Sequence, residues 1–481
     1  MKKLIYNLVA VALLATSFSS CESFLEKAPD DRMSVQTLDD VSAVMAETYD
    51  KMSTHSGLFF ATDNVTLADG VTQSYPILTD LYSWKKIITN EKHQDNPASF
   101  WENSYSSIAN CNLVLESLRN MNGETRNSDF AKALQAEALI GRAYYHFMIL
   151  NTFSKRYETA TAATDLGIPY TKKLENKLIE KYDRSTVEAC YNEIITDYEQ
   201  GIKLLEANSN SFNTNKYRIT IPTAYAIGGR IYLWRNKDQS DNEKSKAYST
   251  KAIAAYGGVV SMKKWSDYAL DKRAIIEVKS PEVGWVQTYY TWQLGSYIYQ
   301  STNSSYKNIT QPSVLGKDLR DNGSGYKLQG DIFLPLNYFI QVGYSGKLSN
   351  DLFPLSESVI NLVEAKVRLN DLKGAYDDMQ NFLVTNHEAP IAFTDKDLID
   401  TFSDVDGKPL TAQEAWIQFI LNQRKRQYYY KGLRWYDIHR YQINIEHRLK
   451  DGRLLKLNEE LPLFAFEIPQ FAIINGLKQN Y

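Results

Sequence analysis

Between Pro281 and Tyr306 the chain carries Trp285, Tyr289, Tyr290, Trp292, Tyr297, Tyr299 and Tyr306, with Glu282 as its only acid. Tyr and Trp join a flat apolar face to a polar edge, so rings at this density can stack on the C–H faces of sugar rings. Gln287, Gln293, Gln300 and Asn303, interleaved with them, can reach hydroxyl groups. Where the segment is extended, Trp285, Gln287 and Tyr289 fall on one face, and Tyr297 and Tyr299 share a face of another strand. Each ring taken singly also fits the packed core of a hairpin. The segment as a whole reads as a contact surface. A second candidate runs from Asp69 to Trp84 and includes Tyr75 and Tyr82.

Catalytic patterns are missing. There is no His-Glu-x-x-His, Gly-x-Ser-x-Gly, Walker loop or glycine-rich dinucleotide fingerprint, so no catalytic residue, cofactor or metal is assigned. Acidic side chains are plentiful enough that an exported glycosidase, needing two carboxylates across a cleft, stands as the enzyme alternative. Asp404-Val405-Asp406-Gly407 has the opening of a calcium loop without its remaining ligand spacing, and reads as a solvated turn. The formal charge is -3, falling to -5 if Lys2 and Lys3 leave with a leader. No Lys/Arg block offers a concentrated basic surface, which argues against nucleic acid as a partner.

The elements that must carry these aromatics are helices in pairs. Trp101, Tyr105, Ile108, Asn112, Leu115 and Leu118 recur at three- and four-residue steps and predict a helix over 99–121. Asp129 to Phe153 repeats the pattern, with Ala133, Ala136 and Ala143 set among larger residues. The same periodicity predicts helices over 185–205, 222–234, 245–256, 356–369 and 373–384, with Ser185 and Glu188 as a capping box. From about 258 to 355 the helical period gives way to Gly, Asn, Ser, Tyr and Trp, as in loops with short strands. A long irregular insertion in a helical scaffold usually carries function.

The N-terminus reads as an export signal. Lys2 and Lys3 precede an apolar run from Leu4 to Leu14, and Ser19 and Ser20 lead into Cys21. That run is too short to span a bilayer. A Cys after a small-residue cleavage site resembles a bacterial lipobox, which implies a signal peptide over 1–20, lipidation of Cys21 and a polar tether over 21–35. Cys111 and Cys190 remain, each among apolar residues. A disulfide between them is compatible with export, but a single pair far apart in sequence is no framework, and two buried thiols are the expectation.

Near the C-terminus the chain reads Arg424-Lys-Arg-Gln-Tyr-Tyr-Tyr-Lys-Gly-Leu-Arg-Trp-Tyr-Asp-Ile-His-Arg440. This resembles the signature of the SusD/RagB family, a helix ending in Arg-Trp-x-Asp-Leu-x-Arg, which Gly432, Arg434, Trp435, Asp437 and Arg440 fit, with Ile438 in place of Leu. Gln423, Gln427 and Lys431 stand where the family commonly has glutamate, and Ala472 stands where a C-terminal Glu is usual. The Cys21-x-x-Phe-Leu opening, Arg142-Ala-Tyr-Tyr, Ser356-Glu357 with Glu364-Ala365, and the ending from Ile468 to Tyr481 follow in the family's order. Arg434 and Asp437, three apart, share a helical face where they could pair around Trp435, so these residues are expected to be structural.

The resemblance implies a mainly α fold: tetratricopeptide-like helix pairs forming a right-handed scaffold (about 98–257 and 356–386), the insertion on the ligand side, and a signature region over 411–481, in one domain spanning 36–481. It implies a non-enzymatic, lipid-anchored protein of the outer membrane, facing outward. Such a protein captures a glycan, or in the RagB-like branch a peptide, for a partner SusC-like TonB-dependent transporter. The family's ligand contacts do not transfer by motif, so the aromatic residues and Asp69 remain readings of this chain's own composition. A lipid-anchored scaffold that binds only proteins is a third possibility, and it leaves the aromatic insertion without a soluble ligand.

Overall fold

The computed structural model describes residues 35–50, 55–67, 76–86, 88, 92–93, 95–174, 181–264, 280–290, 299–300, 313–315, 318–321, 326–327, 333–334, 347–388, 392–402, 409–428 and 431–480. Cys21, and the Asp404–Gly407 turn, lie outside the described residues.

The expected helices form. Two short ones lead in, α1 (Leu38–Asp50) and α2 (Pro76–Tyr82), followed by α3 (Pro97–Asn120), α4 (Asp129–Phe153), α5 (Val187–Ala207), α6 (Ile221–Arg235) and α7 (Gln239–Ala255). After the insertion come α8 (Leu355–Arg368), α9 (Leu372–Asn386), α10 (Asp395–Phe402), α11 (Ala412–Gln427) and α12 (Leu433–Tyr441). Side-chain caps set several starts. Asn96, Ser128 and Asp371 each accept from a backbone N–H of the first turn, and Thr411 with Glu414 completes a capping box.

Each helix packs on the next: α3 on α4, α4 on α5, α6 on α7, α7 on α8 and α8 on α9. Helix α4 is buried along almost all of its length, and the polar residues it buries are paired: Glu137 with Arg218, Arg142 with Asp197, and His146 with the Thr171 N–H. Small residues decide how near its neighbours come. A Cβ on Gly201 of α5 would lie 2.6 Å from the Ile140 side chain and 3.0 Å from the Ala136 carbonyl oxygen of α4, so only glycine permits this approach. Cys111 and Cys190 are both free and buried, and burial pushes their thiols up to about 12 and about 11 respectively.

Two expectations about element ends are corrected. Helix α5 begins at Val187 with Thr186, not Ser185, as its cap, and the Thr186 side chain accepts from Ala189 N–H. Ser185 is held outside the helix because its carbonyl accepts from Gly167 N–H and its own N–H donates to Ile168. The signature is also not a single helix end. Gly432 adopts φ 73°, the chain turns there, and Arg434, Trp435, Asp437 and Arg440 belong to the separate helix α12.

Strands among the described residues pair in twos, all antiparallel. They are β1 (Thr66–Leu67) with β3 (Tyr299–Gln300), β2 (Val286–Tyr290) with β6 (Lys347–Asp351), β4 (Tyr326–Lys327) with β5 (Phe333–Leu334), and β7 (Glu446–Arg448) with β8 (Leu454–Lys456). The insertion is thus an excursion between α7 and α8, which pack directly on each other while it leaves and returns.

Candidate ligand-binding site

The insertion leaves the scaffold through a narrow neck. Trp285 is 1% exposed, its ring set edge-on to Tyr49, Tyr144 and Tyr145 and parallel to Phe353. Beneath Phe353 lies the Arg230 guanidinium, 3.7 Å from the ring centroid, which also donates to the Leu352 carbonyl and pairs with Glu357. From the other side Tyr256 donates to the Phe353 carbonyl, and Asp351 accepts from the N–H groups of Gly284 and Phe353. Burial pushes the Asp351 carboxyl up to about 6, against the lowering influence of Lys431 and those backbone donors. Beyond the neck the β2–β6 ladder places Tyr289 opposite Leu348 and Tyr290 opposite Lys347.

The early segment is fastened to the C-terminal region by aromatic stacking. His447 lies between the rings of Tyr82 and Trp84, centroids 4.1 and 4.3 Å away, and its two nitrogens face the carbonyl oxygens of Tyr82 and Thr62. Tyr82 donates to the Arg448 carbonyl, and the Trp84 indole N–H donates to that of Ala61. From this base β1 reaches β3, pairing Thr66 with Gln300 and Leu67 with Tyr299. The ladder therefore ties the insertion to the two residues Thr66 and Leu67, just ahead of the second candidate segment.

Of the aromatics singled out by sequence, Trp285, Tyr82 and Trp84 are core residues: each is buried and each has its ring or polar edge occupied by a neighbouring element. Tyr289, Tyr290 and Tyr299 take strand positions in the insertion. Trp292, Tyr297, Asp69 and Tyr75 lie outside the described residues. The structure assigns three of the rings to packing.

The signature residues form a buried ionic web beneath this region, with a pairing different from the one expected. Arg434 does not pair with Asp437. It donates to both carboxylate oxygens of Asp63 at 2.9 Å, and Lys425 donates to the same carboxylate. Burial works to raise the Asp63 pKa, but these two cations hold it far below the carboxylate range. Asp437 instead accepts from Arg424 and Arg440, while Glu364 accepts from Arg440, Arg368 and Tyr441. Trp435 is fully buried against Phe466.

Where glutamates would be usual, Gln423 and Gln427 accept from Arg320, whose charge is met by Asp318. Lys431 donates to the Asp351 carbonyl. Sequence reading missed Asp63, Arg230 and Asp318, which sit in segments with no motif of their own, and named Glu357 only as part of the family match. Among the described residues, no group of three or more His, Cys, Asp or Glu side chains is placed to hold a metal ion. None of the described helices is long and apolar enough to cross a membrane.

Residues 23–233 match the SusD-like family model described as starch-binding and associating with the outer membrane. No curated protein sequence matches the chain. Among solved structures, a SusD superfamily protein from Bacteroides thetaiotaomicron is 17% identical with a TM-score of 0.68, covering 92% of this chain and all of that one. A putative sugar binding protein from Bacteroides vulgatus is 20% identical, TM-score 0.68, covering 93% and 99%. A SusD-like carbohydrate binding protein from the same species is 16% identical, TM-score 0.68, covering 92% and 96%. At such identities the likeness to these structures is one of fold. The family model is thus matched over the N-terminal part of the chain, and the fold of SusD superfamily structures is shared along nine-tenths of its length.

Proposed function

We propose that this protein is a non-catalytic, cell-surface glycan-binding lipoprotein, anchored through Cys21, that hands oligosaccharide to a SusC-like TonB-dependent transporter. The observation that supports it best is the β1–β3 register, Thr66 with Gln300 and Leu67 with Tyr299, which ties the insertion to the strand just ahead of the early segment. A glycan held there stacks on insertion rings, with Tyr289, Tyr290, Trp292, Tyr297 and Tyr299 as the aromatic candidates and Asp69 and Tyr75 as contributions from the early side. Trp285, Tyr82 and Trp84 act from below by fixing the two segments.

Affinity electrophoresis and calorimetry of protein lacking residues 1–21, run against a panel of glycans and peptides, test the proposal. A glycan hit that weakens at least tenfold in a Trp292→Ala variant with an unchanged melting temperature supports it. Binding of peptides alone transfers the site to peptide capture, and turnover of an oligosaccharide overturns the non-catalytic reading. Co-purification with a transporter from native outer membranes tests the delivery step.

A further inference from the structure

The chain leaves the His447 ring at Thr62 and returns to it at Tyr82, with β1 and most of α2 between. The Nδ1 of His447 lies 2.7 Å from the Tyr82 carbonyl oxygen and its Nε2 3.0 Å from that of Thr62. The residue is 2% exposed, and its ring stacks nearly parallel to Tyr82 and Trp84, at 5° and 15°. Trp84 holds its place in that stack at φ 50°, a conformation that a bulky residue rarely adopts and that persists only where its surroundings fix it. The strand that carries His447, β7, also lies against β1.

Two carbonyl oxygens are both served only by a ring that carries two protons. A neutral imidazole has one N–H, and its other nitrogen would aim a lone pair at a buried oxygen. An imidazolium donates to both, and the 2.7 Å separation is in the charge-assisted range. Aromatic faces on both sides favour the cation as well. Burial is the largest influence on the group and works to lower its pKa, while the two carbonyls and Asp63 work to raise it. Asp63 is itself held by Arg434 of α12 and Lys425 of α11. On α2, Asp80 is paired with Lys85, and Tyr82 turns its hydroxyl to the Arg448 carbonyl. Glu446 and Arg448 flank the ring on the exposed face of β7, and Leu455 stands opposite it on β8.

We propose that His447 is a positioning residue: as an imidazolium it bridges Thr62 and Tyr82, closes the base of the stretch 63–81, and so fixes β1 where it pairs with β3 of the insertion. Its bearing on ligand affinity rests on the glycan-binding reading, and the bridge itself does not. Its contribution is full in mildly acidic solution and is lost as the pH rises and the ring gives up its second proton.

Nitrogen-15 NMR of the ring nitrogens in the full-length protein, assigned through a His447→Gln variant, tests the bridge. Both nitrogens should still carry protons at about pH 7.5, where an exposed histidine has lost one. A ring with a single N–H at that pH would overturn the proposal. Gln supplies neither the charge nor the flat ring, so amide hydrogen exchange over β1 should quicken at least tenfold in His447→Gln while exchange in α4 is unchanged. Unchanged exchange over β1 would overturn the positioning role. If the variant does not fold, the ring titration of the unaltered protein decides alone. Where a glycan binds, its affinity should fall at least fivefold from pH 6 to pH 9 in the unaltered protein and stay flat in His447→Gln; a flat profile in both would overturn the positioning role. An intact bridge in a protein that binds no glycan would instead retire the glycan reading and leave the bridge standing.

Discussion

Asp437 lies between Arg424 and Arg440, all three nearly inaccessible to water, and its two oxygens take hydrogen bonds from both guanidiniums. Removing Asp437 leaves Arg424 buried with the neutral Asn361 as its side-chain hydrogen-bond partner, while Arg440 keeps Glu364, so Asp437→Ala should cost about 3–5 kcal/mol of unfolding free energy, measured by denaturant titration. A loss under 1 kcal/mol would show that water reaches the web. The expected Arg434–Asp437 pair illustrates how far sequence carries at this scale. Spacing by three reports a shared helical face, but it is silent about a carboxylate 371 positions away, and Asp63 has the better geometry. Asp351 gives a pH prediction. Its carboxyl is raised from 3.8 to about 6 in the folded protein, so its stabilising contribution is full below the unfolded value and is lost as pH rises through about 6. Two units correspond to about 3 kcal/mol. Asp351→Asn should therefore gain stability relative to the unaltered protein between pH 4 and pH 7, and a difference that stays flat over that range would remove the buried carboxyl as the cause.

Helices were legible wherever a stripe or small-residue pattern ran for three turns or more, because burial of one face imposes that period. Their ends were less so. Ser185 and Glu188 have the spacing of a capping box, but tertiary hydrogen bonds from Gly167 and to Ile168 hold Ser185 outside the helix. Aromatic rings were the least informative signal about the site. Trp285, Tyr82 and Trp84 have the same faces and polar edges whether a sugar or another ring lies against them, and only the fold shows that their neighbours are Tyr144, Phe353 and His447. The close approach of α4 and α5 can be tested directly. Gly201→Val forces side-chain atoms into Ile140 and the Ala136 carbonyl and should cost about 1–3 kcal/mol by overpacking. Gly123→Ala, where a Cβ meets nothing within 4 Å, should change stability by no more than about 0.5 kcal/mol. Equal melting temperatures for the two variants would contradict the packing described for α4 and α5.

At the scale of the molecule, the insertion meets the scaffold at the neck around Trp285 and again where Asp318 and Arg320 lie against Arg426, Gln423 and Gln427 of α11. Helices α7 and α8 hold each other whether or not the chain between them is long, and at the neck Trp285 packs on Tyr144 while Arg230 lies under Phe353 and pairs with Glu357. Replacing residues 286–350 with a six-residue Gly/Ser loop shortens a closed loop roughly tenfold, which is worth about 2 kcal/mol of reduced closure entropy. Against that gain stand the loss of the β1–β3 pairing and the short ladders and the removal of Asp318 and Arg320, which leaves Arg426 buried without its carboxylate at a cost of about 3–5 kcal/mol. The shortened protein should fold with its helical circular dichroism signal retained and a melting temperature lowered by about 1–5 °C. Glycan affinity should fall at least a hundredfold. Retention of both the fold and the affinity would move the ligand site off the insertion and onto the helical scaffold. Collapse of the fold would mean that the insertion supports the scaffold through contacts beyond the neck.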